Sequence, residues 1–170
     1  PTFTGTVTGA GGITMVDSWR LTSNTNVTAN QNAFLTANLE QDDTSGFANI
    51  GSSMTESSGI FTFPSTGIYQ IFLMLSYSAT STNQDFYMGA KIFTTTNNSS
   101  YTARTAPYTY SDSGGSTVGQ LSTTICLFDV TSTSTHKVKF GYECNNSNVQ
   151  ISGNTDVSRT QFQFIRLGDT

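Results

Sequence analysis

Apolar and polar residues alternate along most of this chain with a period of two. The clearest run is 68–77, IYQIFLMLSY. It is rich in β-branched, aromatic and long apolar residues, which predicts a strand. Successive strand side chains point to opposite faces. One face then carries Tyr69, Ile71, Leu73, Leu75 and Tyr77, and the other carries Ile68, Gln70, Phe72, Met74 and Ser76. An antiparallel strand with one wet face should be polar on that face. Phe72 and Met74 break the rule, so a further layer or another subunit is expected to cover them.

The same period recurs elsewhere. The run 85–93 puts Phe86, Met88, Ala90 and Ile92 on one side, and 118–130 groups Leu121, Thr123, Ile125 and Leu127. In 137–144, Val138, Phe140 and Tyr142 point inward and Lys139 outward, and 159–167 alternates again. Shorter strands are predicted at 13–21, 34–39, 47–54 and 60–63. Pro64 with Gly67, and the Gly114-Gly115 pair, supply turn chemistry between runs. Pro107 marks an edge strand or long loop at 101–113. Nowhere do apolar residues recur with helical spacing for three turns. The pattern predicts an all-β antiparallel sandwich or jelly roll of about eight to ten strands in one domain, 13–170. The stretch 1–12, PTFTGTVTGAGG, reads as an extended arm because its glycines interrupt any regular element.

Composition narrows the function. Charged residues make up 11% of the chain and the net charge is −4. The seven Lys and Arg are scattered in sequence, so nucleic-acid binding through clustered positive charge is not expected. Thr, Ser and Asn carry the polar surface, a composition associated with extracellular and virion-surface β proteins. No apolar run approaches the ~20 residues of a membrane span, and 1–12 lacks the basic and apolar parts of a leader. No membrane insertion is expected.

Candidate chemistry is sparse. Cys126 and Cys144 lie in strand runs and read as small buried hydrophobes, with a disulfide as the alternative. Trp19 reads as a core anchor. His136 sits in a Thr/Ser loop and reads as solvated. Glu40, Asp42 and Asp43 read as a solvating turn. There is no Gly-x-Ser-x-Gly elbow, and no enzyme is expected. No cofactor is expected apart from calcium, for which Asp112, Asp129, Asp156 and the Asp42-Asp43 pair lie near strand ends. Tyr101, Tyr108 and Tyr110, with Arg104, Asn97 and Asn98, form a candidate receptor-binding region, since Tyr and Asn combine rigid area with adaptable hydrogen bonds. The alternative is that these tyrosines cover the edge of the sandwich.

The stretch 59–77, GIFTFPSTGIYQIFLMLSY, resembles the signature of the complement C1q globular head. Gly59, Ile60, Phe61, Thr62, Pro64, Gly67, Ile68 and Tyr69 stand at the corresponding places. The terminal run 162–167 is similar to the family's last strand, and the resemblance extends over about 34–167. It implies the ten-stranded jelly roll shared with the tumour necrosis factor superfamily, assembled as a tight homotrimer with the central strand beside the threefold axis. On that reading Ile68, Phe72, Met74, Phe162 and Phe164 are the expected trimer-interface residues. The Thr/Ser/Asn richness and the run DSWRLTSNTN are similar to jelly-roll heads of marine bacteriophage structural proteins. This similarity implies a virion-surface fibre tip, spike or capsid decoration. Its partners would be copies of itself, other virion proteins through the arm, and a host-surface glycan or protein. The alternative is a secreted C1q-like recognition module of a cellular organism.

Overall fold

The computed structural model describes residues 12–29, 31–83, 85–112 and 119–170. The expected arm, apart from Gly12, lies outside the described residues. Among these the fold is all-β. Its strands are β1 (Met15–Leu21), β2 (Thr25–Asn26), β3 (Gln31–Phe34), β4 (Leu39–Gln41), β5 (Thr55–Ser57), β6 (Ile60–Thr62), β7 (Gly67–Ala79), β8 (Phe86–Thr95), β9 (Thr102–Thr105), β10 (Tyr108–Ser111), β11 (Gly119–Val130), β12 (Lys137–Cys144), β13 (Val149–Ile151) and β14 (Gln161–Gly168).

They form two antiparallel sheets. The first runs β2-β13-β7-β14-β1-β4, with β11 also on β7. The second runs β10-β8-β12-β6-β5, with β3 on β12 and β9 on β8. The long runs β7, β14, β8 and β12 supply the middle of the sheets, where a strand with one apolar face is covered by the opposite layer, whereas the long β11 pairs only with β7. β7 pairs with β11 from Gly67 to Ser78. β1 pairs with β14, Met15 opposite Arg166, and Arg166 Nη1 donates to Thr14 Oγ1 at 3.3 Å.

The core lies between the sheets. Tyr69, Ile71, Leu73, Leu75 and Tyr77 face Met88, Ala90, Ile92, Val138, Phe140 and Tyr142, all buried. At its centre the Phe61 ring meets Trp19 at 5.2 Å, Phe164 at 5.3 Å and Phe140 at 5.4 Å between centroids. Phe140 stacks obliquely on Phe162 at 4.6 Å. Such ring pairs add about 0.5–1.5 kcal/mol each beyond the area they bury.

This cluster corrects one expectation. Phe162 and Phe164 are 0% exposed within a single chain and reach no outer surface. The register explains it: Phe162 stands opposite Leu73 and Phe164 opposite Ile71, and residues opposite one another in an antiparallel pair share a face. They belong to the core, not to a contact between chains.

Three shorter elements also differ from the pattern. The stretch 47–54 is not a strand; it meets the sheet through the bridge of Ile50 to Val16, the Met54 N–H bond to Asp17 Oδ2 at 2.7 Å and the Gln41 Nε2 bond to Ser53 Oγ at 2.7 Å. Residues 34–39 span the end of β3 and the start of β4, with Asn38 at φ 60° between them. Pro107 separates two short strands, β9 and β10, both laid along β8. Cys126 and Cys144 are free thiols.

Candidate functional site

The outward face of the first sheet follows from the pleat of β7. Its inward residues are buried, so Ile68, Gln70, Phe72, Met74 and Ser76 turn out, and they are half-buried. Register sets Phe72 between Ile125 and Gln163, Met74 between Thr123 and Gln161, and Gln70 between Leu127 and Ile165. Leu121, Ile125 and Leu127 are 50%, 51% and 66% exposed. The result is a contiguous surface of aliphatic, thioether and amide groups, with Asp129 at one end opposite Ile68.

The second sheet's outward face is different in kind. Lys91 stands opposite Gly141, Lys139 opposite Phe93 and Lys137 opposite Thr95. These positions share the face opposite the buried Val138, Phe140 and Tyr142. The fold therefore gathers all three lysines of the chain on one surface, although the basic residues look scattered in sequence.

Around Lys91 a polar network forms. Its Nζ donates to Glu143 Oε2 and, at 2.5 Å, to Asn32 Oδ1. Tyr108 Oη donates to Glu143 Oε2 at 2.8 Å. These bonds hold the Glu143 carboxyl below the usual carboxylate range. Burial pulls the Lys91 pKa down, but its bonds to Glu143 and Tyr108 outweigh that and raise it. The Tyr108 hydroxyl is pushed up, first by its bond to Glu143 and then by burial. The Tyr108 ring lies over Gly89, where a Cβ would stand 2.7 Å from Tyr108 Cε1, so any larger residue there would push the ring out of this position. Tyr87 meets Tyr108 at 5.4 Å and Tyr110 at 5.9 Å, and Tyr110 is 76% exposed.

The expected binding residues thus divide. Tyr108 and Tyr110 come together with Tyr87, which the sequence reading missed. Tyr101 lies apart and takes Lys139 Nζ 4.3 Å from its ring centroid, with Phe34 beneath the same ammonium at 4.8 Å. Arg104 Nε donates to Thr94 Oγ1 at 2.6 Å. Asn97 folds its own loop, its Oδ1 accepting from the Ser99 and Ser100 N–H groups.

Other singled-out residues prove structural. His136 is buried rather than solvated; it stacks on Phe128 at 5.6 Å, its ring nitrogens beside the Thr131 and Thr135 hydroxyls. Glu40, Asp42 and Asp43 do not merely solvate a turn. They converge on Arg20, whose side chain is buried, and Asp42 also accepts from Ser18 at 2.5 Å and Ser158 at 2.8 Å. A guanidinium taken out of water needs such partners. Among the described residues no group of three or more His, Cys, Asp or Glu side chains is placed to hold a metal ion. Burial pushes the Cys126 thiol up to about 11, away from reactivity.

Comparison with known proteins places the fold. No family model and no curated protein sequence matches the chain. Solved structures do. Murine APRIL at pH 5.0 superposes with a TM-score of 0.62 at 12% identity, covering 90% of this chain and 98% of that one. Eiger TNF from S. frugiperda gives 0.60 at 8% identity, covering 94% and 96%. The PRD1 vertex protein P5 gives 0.51 at 16% identity, covering 93% and 100%. The architecture is the tumour necrosis factor-like jelly roll, found both in those two proteins and in a phage vertex protein.

Proposed function

We propose that the chain is a non-enzymatic virion-surface protein: a homotrimeric knob that presents its outer surfaces for host attachment or covers the particle. The observation that carries this is the outward face of β7, β11 and β14. Ile68, Phe72 and Met74 are joined there by the exposed Leu121, Ile125 and Leu127. A contiguous apolar surface of this kind marks a contact site. Copies pressed together along β7 around a shared axis would cover it, and a closed cyclic assembly leaves no apolar face open. The likeness to a phage vertex protein supports placing the knob on a virion. In this reading 1–12 tethers the knob to other virion proteins, and the surface bearing Tyr101, Arg104, Tyr108 and Tyr110 meets a host glycan or protein.

A second reading is favoured by the higher TM-scores to APRIL and Eiger TNF: a secreted recognition module of a cellular organism. Mass spectrometry of purified particles separates the two. Peptides of this chain in stoichiometric amount in virions support the first, and their absence rejects it. Light scattering on the purified chain tests the assembly, which should run at three times the chain mass at micromolar concentration.

A further inference from the structure

The three lysines of the second sheet differ in what balances them. Lys91 has Glu143. Lys139 has the rings of Tyr101 and Phe34. Lys137 has neither among the described residues. It is only 8% exposed, and its single hydrogen bond there runs from Nζ to Thr133 O at 2.6 Å. An ammonium carries three donors, so two are left over. Burial alone acts on it, lowering its pKa with no carboxylate to offset the loss of water.

Lys137 lines an open groove of about 430 Å³ at the β5–β6 edge of the sheet. The rest of the lining mixes the polar side chains of Thr55, Ser57, Ser58, Thr62 and Asn98 with Ile60 and aliphatic stems. The walls are held. Ser58 and Gly59 have φ of 53° and 80° in the β5–β6 turn, and a Cβ on Gly59 would stand 2.3 Å from Leu35 O. Asn98 N–H donates to Thr135 O at 2.9 Å, which ties its loop to the one that leads into Lys137. Glu56 also lines the groove, with Oε1 taken by Gly59 N–H at 2.5 Å.

We propose that this groove binds a carboxylated monosaccharide of the uronic-acid type, its carboxylate on Lys137 Nζ and its ring hydroxyls on the Thr, Ser and Asn lining. A charge-assisted bond to Lys137 would supply the missing counter-charge. The volume lies within the ordinary range for small-ligand sites. Hydroxyl, amide and aliphatic groups side by side suit a sugar ring, which offers both hydroxyls and C–H faces, and Glu56 disfavours a dianion such as phosphate more than a single carboxylate. Assigning the sugar to a host surface rests on the virion reading; the binding chemistry does not.

The test is calorimetric titration of the purified protein with sodium glucuronate, glucose and sodium acetate at fixed ionic strength. Glucuronate should bind saturably in the millimolar range, with glucose and acetate each at least tenfold weaker. Lys137→Met should weaken glucuronate at least tenfold, and Lys139→Met should change it less than twofold. Amide shifts on the labelled wild-type protein should move at Thr62, Asn98 and Lys137, a readout that needs no variant to fold. No saturable glucuronate binding, acetate binding as well as glucuronate, an unaffected Lys137→Met protein, or shifts only elsewhere would each overturn the proposal. Light scattering on the same sample reports assembly separately, so a failed trimer and a failed site are told apart.

Discussion

The two sheets present opposite surfaces to the outside. The β7–β11–β14 face offers Leu, Ile, Phe and Met interleaved with glutamines, and no lysine reaches it. The β8–β12 face, with β10 beside it, holds every lysine of the chain, with Glu143 and a set of rings among them. Yet the inward faces of both sheets are mainly aliphatic and aromatic, the buried Asp17 of β1 being held there by bonds from Trp19, Gln41 and Met54. The difference teaches where to look for function in this fold. Inward residues satisfy packing and leave little choice. On the first sheet, what stays uncompensated outward is apolar area; on the second it is one charge, Lys137.

Substitutions can break or sharpen this contrast. The largest effect is expected on the apolar face. Phe72→Asp, or Met74→Asp, would bury an unpaired carboxylate in a contact between copies. Assembly should be lost entirely by light scattering, while Lys139→Asp on the opposite sheet should leave it unchanged. A wild-type-sized trimer from both apolar-face variants would remove the contrast.

Next in size is Phe162→Ala. As a core residue it should cost about 3–5 kcal/mol in urea unfolding at fixed protein concentration. The folded fraction should keep its assembly state. Loss of assembly without loss of stability would return Phe162 to the surface.

A smaller effect is expected for Glu143→Gln, about 1–2 kcal/mol at neutral pH, since the hydrogen bonds lost are to a charged group. The sign with pH follows from the directions of the shifts. The Glu143 carboxyl is held below its ordinary 4.5, so its stabilisation is present above that value and fades as pH falls through the lowered folded one. Wild type and variant should therefore converge in acid. Lys91 is raised above 10.5, so its share holds up to that pH and is lost only beyond it. A gap that widens in acid would contradict the pairing.

The smallest change is Lys137→Met. It removes a buried cation with no counter-charge and keeps an apolar stem of similar length. Thermal unfolding should show a gain of up to about 1 kcal/mol. A clear loss would mean that Lys137 is balanced by something other than a ligand.

Much of the fold was legible because one apolar residue in every two recurs through most of β7, β12 and β14, and that period fixes which residues share a face. It does not fix which face turns inward. Phe162 and Phe164 share a face of β14 by pattern, and only the register against Leu73 and Ile71 settles that this face is the dry one. Arg20 escaped notice because arginine in an apolar strand usually reaches solvent. The signal was present in the Glu40-Gln41-Asp42-Asp43 turn, three acids with no nearby base in sequence. The stretch 47–54 misled because its apolar residues do not alternate cleanly, and Phe47 and Ile50 remain exposed. The gathering of the lysines could not be read at all. It depends on β8 pairing with β12 across more than forty residues, and such pairings leave no local trace.

The pairing of β1 with β14 has a mechanical consequence. Met15 and Arg166 sit side by side, so the chain enters and leaves the sandwich at one pole through neighbouring antiparallel strands. Cross-strand bonds lie perpendicular to such strands. Tension applied through both ends would part them one after another, like a zip, whereas tension on one end alone must drag a strand lengthwise against its neighbours. Held from a single end, the domain can resist a pull that would open it if it were strung between two.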